Sequence, residues 1–321
     1  MIFGYSTIEK LRRDIIKHWR FELVGLKFMI HLENNSHGII SSDITQATQA
    51  VVVYVTLIQY EFIDLIESEI TRMAKLGIPE INYYFYRMTP SAFVTLFNAD
   101  ENDLIEEASI VSKELQRRIK NICQVRNSQT SMKEFISPIL FGAVQLYGKS
   151  NNTAKSDIHL ICKKLVIGEY CKGTVDYIVE YKDMRIIITE TMKYEYEYGI
   201  QQNLCQQVAC IQESARRVAI MNNREYEEVL VEAEKIPSYG IVTAGEDWIF
   251  IRYCAAEKDY LRRLIISKRI QYSLQKDQKD EHRQSATRDL IRIIAGIIKV
   301  QVDHMDRLRL GLEVFEMFSR G

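Results

Sequence analysis

The alternation of apolar and polar positions changes period along the chain, and each change marks an element. Between Gly173 and Tyr181 the period is two: Val175, Tyr177, Val179 and Tyr181 fall on one face, Asp176, Ile178 and Glu180 on the other. That is the pattern of a strand. In a second such run Ile186, Ile188, Glu190 and Met192 share a face, and Lys182-Asp183 is a short polar break between the two. The pair predicts an antiparallel hairpin. From about Gly199 the period lengthens to that of a helix, with Ile200, Leu204, Val208 and Ile211 as its apolar stripe. A helix is also expected over 131–147. A second β-hairpin is expected over 237–253, turning at Ala244-Gly245-Glu246-Asp247.

The flanks read as long helices. Ser6-Thr7 with Glu9 opens one that runs to about Leu32 on Leu11, Ile15, Trp19, Leu23 and Leu26. Ser42 or Asp43 caps a second, carried by Ile44, Tyr54, Ile58, Phe62, Leu65 and Met73 and stopped by Gly77 and Pro79. A third spans about Asp100 to Gln124. The aromatic run Tyr83 to Tyr86 reads as core packing in a connecting segment. Glu257 to Lys279 reads as helical on Leu261, Leu264, Ile265 and Ile270, and Ala286 to Phe318 is periodic again after a polar break. Two basic groups, Arg262, Arg263, Lys268 and Arg269, and Lys113, Arg117, Arg118 and Lys120, are either phosphate-contacting faces or solvated helix faces.

Candidate chemistry sits on the central hairpin. Pairing its strands brings Asp176 and Glu190 to one edge of one sheet face. Two carboxylates among Ile and Val are costly there unless they hold a cation. The alternative is a pair of solvated surface acids. Glu134 lies near the start of the 131–147 helix, and Gln202 and Gln206, four apart, project from one side of the helix that follows the hairpin.

The order is therefore helix with Glu, strand with Asp, strand with Glu, helix with Gln, then a β-hairpin. This resembles the PD-(D/E)XK superfamily, the restriction-endonuclease-like fold. More narrowly, Gly173-Thr-Val-Asp-Tyr177, Ile188-Thr-Glu190, Gly199-Ile-Gln-Gln-Asn-Leu-Cys-Gln206 and Tyr239-Gly-Ile-Val-Thr-Ala-Gly-Glu-Asp-Trp248 resemble the nuclease-like C-terminal domains of Crinkler-type effector proteins. The resemblance covers about residues 131–254. It implies that Asp176 and Glu190 ligate Mg²⁺ or Mn²⁺, that Glu134 is the accessory acid, and that Gln202 and Gln206 orient ligands or touch a phosphate backbone. It also implies a Lys two residues after the second acid, where this chain has Met192.

On a regular strand Lys193 points to the face opposite Met192, so only a bulge, or a strand ending at Thr191, returns its ammonium to the site. In such a site the divalent ion polarises phosphate and lowers the pKa of bound water, while the Lys stabilises the attacking hydroxide. Losing one such stabiliser costs about two to three orders of magnitude in rate. Two versions follow: an active site using Lys193 from a distorted strand, and a degenerate one that binds without efficient cleavage.

Composition narrows the setting. With 321 residues, 47% hydrophobic, the chain can fill one to three cores, and four Pro with fourteen Gly argue against a loop-rich sandwich. A formal net charge of −1 gives no global nucleic-acid signature, so binding must rest on local patches. Six Cys without CxxC pairs or Cys/His ligand spacing read as reduced thiols of an intracellular protein, cytoplasmic or nuclear. The N-terminus has no signal-peptide pattern and no apolar run is long enough to span a bilayer, so no membrane is expected.

The expected fold class is α/β: a restriction-endonuclease-like mixed sheet flanked by helices over 129–256, between an all-helical N-terminal region (1–128) and a helical C-terminal extension (257–321). The expected function is a metal-dependent nuclease-like domain hydrolysing DNA or RNA phosphodiesters, as an effector or toxin module, with the N-terminal helices offering a surface to a protein partner. The alternative is a non-catalytic interaction or nucleic-acid-binding protein with a degenerate nuclease fold.

Overall fold

The computed structural model describes residues 28–32, 53–57, 60–61, 87–88, 100–121, 129–151, 157–169, 171–182, 184–191, 196–257, 264–273 and 280–310. In chain order the early strands are β1 (Phe28–Leu32), β2 (Val53–Leu57), β3 (Tyr60–Glu61) and β4 (Arg87–Met88). Helices α1 (Glu101–Asn121) and α2 (Gln129–Asn151) lead into β5 (Ile158–Ile167), β6 (Cys171–Tyr181) and β7 (Met184–Thr191). Then come α3 (Tyr196–Asn222), α4 (Tyr226–Glu234), β8 (Ser238–Thr243), β9 (Asp247–Tyr253), β10 (Leu264–Ser267), β11 (Ile270–Gln271) and α5 (Asp280–Leu310).

The expected mixed sheet is present. Its strand order is β3-β6-β7-β8-β9-β10-β4, with β5 also on β6 and β11 also on β9. β6 and β7 form the antiparallel hairpin, with Lys182 at φ 46° and a register shift between Val179 and Glu180. β8 and β9 form the second hairpin, and its turn needs Gly245, which sits at φ 82°. β7 and β8 run parallel, joined by α3 and α4 as a crossover must be.

Helices cover both faces, and side-chain size decides how closely. Gly240 on β8 faces α3, where an added Cβ would collide with the Asn203 amide, so only glycine lets that helix approach. Tyr239 and its cross-strand partner Arg252 lie on the opposite face, where the Arg252 charge acts on His304 of α5. On that side α5 packs with α1 and α2. α1 forms because Leu104, Ala108, Val111, Leu115 and Ile119 make a buried stripe at helical spacing, and because Asp100 Oδ1 caps it by accepting from the Asn102 N–H at 2.8 Å. Leu290, Ile291, Ile294, Ile297 and Ile298 are fully buried on α5.

The flanks depart from expectation. Residues 28–32 and 53–57, read from sequence as parts of two helices, are the paired strands β1 and β2, and β3 and β4 join the central sheet. The N-terminal region is therefore not all-helical. Val51 to Thr56 is an unbroken β-branched and aromatic run, whose side chains lose χ1 freedom in a helix and fit a pleated surface. The same correction applies to 257–279: Leu264-Ile-Ile-Ser267 pairs antiparallel with β9, and Ile270-Gln271 continues along the same neighbour. An apolar edge at β9 recruits β-branched chain whatever its spacing. The helix expected from Ala286 is present from Asp280 to Leu310, while Tyr83 to Tyr86 lies outside the described residues.

Among the described residues no helix is long and apolar enough to cross a membrane. Cys171, Cys205, Cys210 and Cys254 are buried free thiols and Cys162 is an exposed one.

His304 carries a consequence for stability. It is 2% exposed, and burial first, then the Arg307 and Arg252 charges, pull its pKa down from 6.5 to about 4. As pH falls below 6.5 the unfolded chain takes up a proton that the folded chain refuses, so stability declines through the window down to about 4. Between about pH 7 and about pH 4.5, urea unfolding should show wild type losing on the order of 2 kcal/mol more than His304→Leu. Equal losses in the two proteins would contradict this assignment.

Candidate functional site

The β6–β7 register sets the site. The β6–β7 pairing ends at Tyr177 with Thr189, and Asp176 and Glu190 are the next residue on each strand beyond it, on one sheet face by alternation. Across the parallel neighbour, Glu190 is partnered with Val242, two residues beyond Gly240, which places position 190 on the register row of the α3-covered face. The two acids are thus on adjacent strands at one end of the sheet, as the hairpin pattern required. The side chain of Glu190, and residues Met192 and Lys193, lie outside the described residues.

Asp176 is partly buried, its side chain 15% exposed. Its Oδ2 accepts a hydrogen bond from the Thr191 N–H at 3.1 Å, which ties the carboxylate to the end of β7. Its Oδ1 is ion-paired with the Lys133 ammonium, which reaches across from the first turns of α2. Tyr177 fixes that helix locally, donating its O–H to the Lys133 carbonyl at 3.0 Å. The Tyr177 phenol is pushed well above its ordinary pKa, first by burial and then by the neighbouring Cys162, Asp176 and Glu134. It stays a neutral donor.

The other expected residues are placed differently. Glu134 is exposed, and its Oε2 accepts from Arg118 Nη1 of α1 at 2.7 Å. The same Arg118 nitrogen also donates to the Glu134 carbonyl at 2.6 Å. On a helix successive residues diverge by about 100°, so the turn that sends Lys133 to Asp176 sends Glu134 to α1.

Gln202 is half-buried on α3. Gln206 is fully buried, as are Asn203 and Gln207, the two that lie against Gly240 at the α3–β8 interface. There Gln207 Nε2 donates to Asn203 Oδ1 at 2.9 Å and Asn203 Nδ2 donates to the Ile241 carbonyl at 3.4 Å. The helical repeat that groups Gln202 with Gln206 is real, but the amide layer it joins packs against a sheet.

Lys133 is the residue that motif reasoning missed. The resemblance points to the acid at 134, because a helix-borne Glu belongs to its pattern. The available signal was that a lysine one position earlier can reach a neighbouring strand through its long stem.

A divalent cation is tested by the donors present. Among the described residues no group of three or more His, Cys, Asp or Glu side chains converges. Asp176 alone offers hard carboxylate oxygen among the described side chains of this edge, and Mg²⁺ is usually held by one or two carboxylates with waters completing its shell. The ammonium already seated on Asp176 Oδ1 marks the place where this edge holds positive charge.

In comparison with known proteins, no protein-family model, no curated protein and no solved structure matches the chain.

The Lys133–Asp176 pair is sheltered enough to be measurable. A double-mutant cycle with Lys133→Ala and Asp176→Ala should give a coupling of about 1–2 kcal/mol in urea unfolding. Additive effects of the two substitutions would show that the pair contributes nothing.

Proposed function

We propose that this chain is a nuclease-like protein of the PD-(D/E)XK type, acting on DNA or RNA phosphodiesters as an effector or toxin-type module. The observation that carries the reading is the placement of Asp176 and Glu190 just beyond the last β6–β7 pair, on one sheet face, with the Lys133 ammonium on the first of them. Asp176 and Glu190 are the residues that would hold Mg²⁺ or Mn²⁺, which when bound would activate water and polarise the phosphate. Thr191 N–H orients Asp176. Lys133 supplies the ammonium that Met192 withholds, next to the charge that develops on an attacking oxygen. Glu134 acts through Arg118, fixing α2 against α1, and the half-buried Gln202 is the amide of the motif closer to solvent.

A second reading has its own support. Both oxygens of Asp176 already accept, one from Lys133 and one from Thr191, which suits a degenerate site that binds nucleic acid without cutting it. Plasmid and single-stranded substrates incubated with Mg²⁺ or Mn²⁺ separate the two. In the nuclease reading Asp176→Ala abolishes cleavage, and Lys133→Met slows it about two to three orders of magnitude, while Lys193→Ala has the smaller effect. Identical nicking by wild type and Asp176→Ala refutes the nuclease assignment, and no cleavage by wild type selects the binding reading.

A further inference from the structure

A second cluster stands on the same sheet face as Asp176, toward the same sheet end. Glu190 is partnered with Val242 and Val242 with Ile249, so the row that holds Glu190 on β7 crosses β8 to Ile249 on β9. Asp247 lies two residues further toward the same sheet end, on the same face by strand alternation. Three strand spacings separate β6 from β9, about 14 Å.

Asp247 Oδ2 accepts from the Tyr196 O–H at 2.7 Å and from Arg269 Nη1 at 3.5 Å. The Arg269 guanidinium also lies over the Tyr196 ring, 5.2 Å from its centroid. Arg269 comes from the exposed Lys268-Arg269 step between β10 and β11, and its side chain is 51% exposed against 20% for Asp247. The Tyr196 phenol is raised in pKa by burial, then by its bond to Asp247.

The arrangement is more specific than a loose surface ion pair. The guanidinium lies over the aromatic ring, one carboxylate oxygen accepts from it, and half of the side chain remains exposed to solvent. Guanidinium planes stack on unpaired bases and their N–H groups fork onto phosphate oxygen. Among the described residues Nη1 is the one nitrogen of this guanidinium with a hydrogen bond.

We propose that the Arg269–Tyr196 stack is a nucleotide-binding subsite for a single-stranded nucleic acid, which crosses the sheet end from Asp176 to Arg269. This rests on the nuclease-like reading for the far end of the strand, and the subsite itself engages a nucleotide flanking the phosphodiester at Asp176. Asp247 is a positioning residue that acts through Arg269 and Tyr196.

The test is fluorescence anisotropy with a labelled single-stranded DNA, and the matching RNA, of about twelve nucleotides in EDTA. Without a divalent ion no turnover is needed, so the result is independent of whether cleavage requires Asp176. Arg269→Ala should weaken binding about tenfold, Tyr196→Leu similarly, and Tyr196→Phe little, since the ring remains. Arg269→Lys keeps the charge but not the plane and should recover only part of the affinity. Melting curves of the Arg269 variants should overlie wild type, because Arg269 is exposed. Undiminished binding by Arg269→Ala, full recovery by Arg269→Lys, or no binding by wild type would overturn the subsite.

Discussion

The register of β6 against β7 is the constraint on which the candidate site depends. Side chains alternate with period two, so a slip of one residue would send Asp176 to the α2 and α5 face and leave Glu190 alone on the other. Two features hold the register. Val179, Ile187 and Ile178 are essentially fully buried and can only pair one way with helices on both faces. The irregularity between Val179 and Glu180 then absorbs the local mismatch near the turn, away from the acids. The β7–β8 ladder extends the same row to Val242, and Gly240 lets α3 lie close enough to roof it.

Placing carboxylates at the end of a buried sheet has an electrostatic cost, and the fold offsets it with cations from helices. Lys133 comes from α2 to Asp176, and Arg118 comes from α1 to Glu134. Elsewhere the cations come from strands: Arg185 of β7 is paired to Glu213 of α3, and Lys164 of β5 to Glu180 of β6 at 2.6 Å. These pairs have one or both partners almost wholly buried and serve packing. Lys133–Asp176 is partly exposed on both sides, at 21% and 15%.

Much of the central architecture was legible because its signals are local. Two period-two runs around Lys182 gave the hairpin, the Gly245 turn gave the second, and the stripe from Ile200 to Ile211 gave α3. The flanks were misread where a helical spacing of apolar residues coincided with β-branched chemistry, at Val53–Leu57 and Leu264–Ser267. There the deciding factor was a partner strand far along the chain, which no window of sequence contains. The placement of the two strand acids on one face of adjacent strands was legible, since face follows from alternation. It was not legible in its cations: the choice between Lys133 and Glu134 as the residue aimed at β6 depends on the rotation of α2, which packing against α1 and α5 fixes.

The proposed function requires Asp176 and Glu190 to form one cation site whose charge Lys133 balances. Electron paramagnetic resonance of added Mn²⁺ reads this directly in the intact protein. Wild type should hold a single Mn²⁺ that is lost in both Asp176→Asn and Glu190→Gln, while Lys133→Met should bind it more tightly because the competing ammonium is gone. Absence of bound Mn²⁺ in wild type, or unchanged binding in both carboxylate variants, would contradict the account.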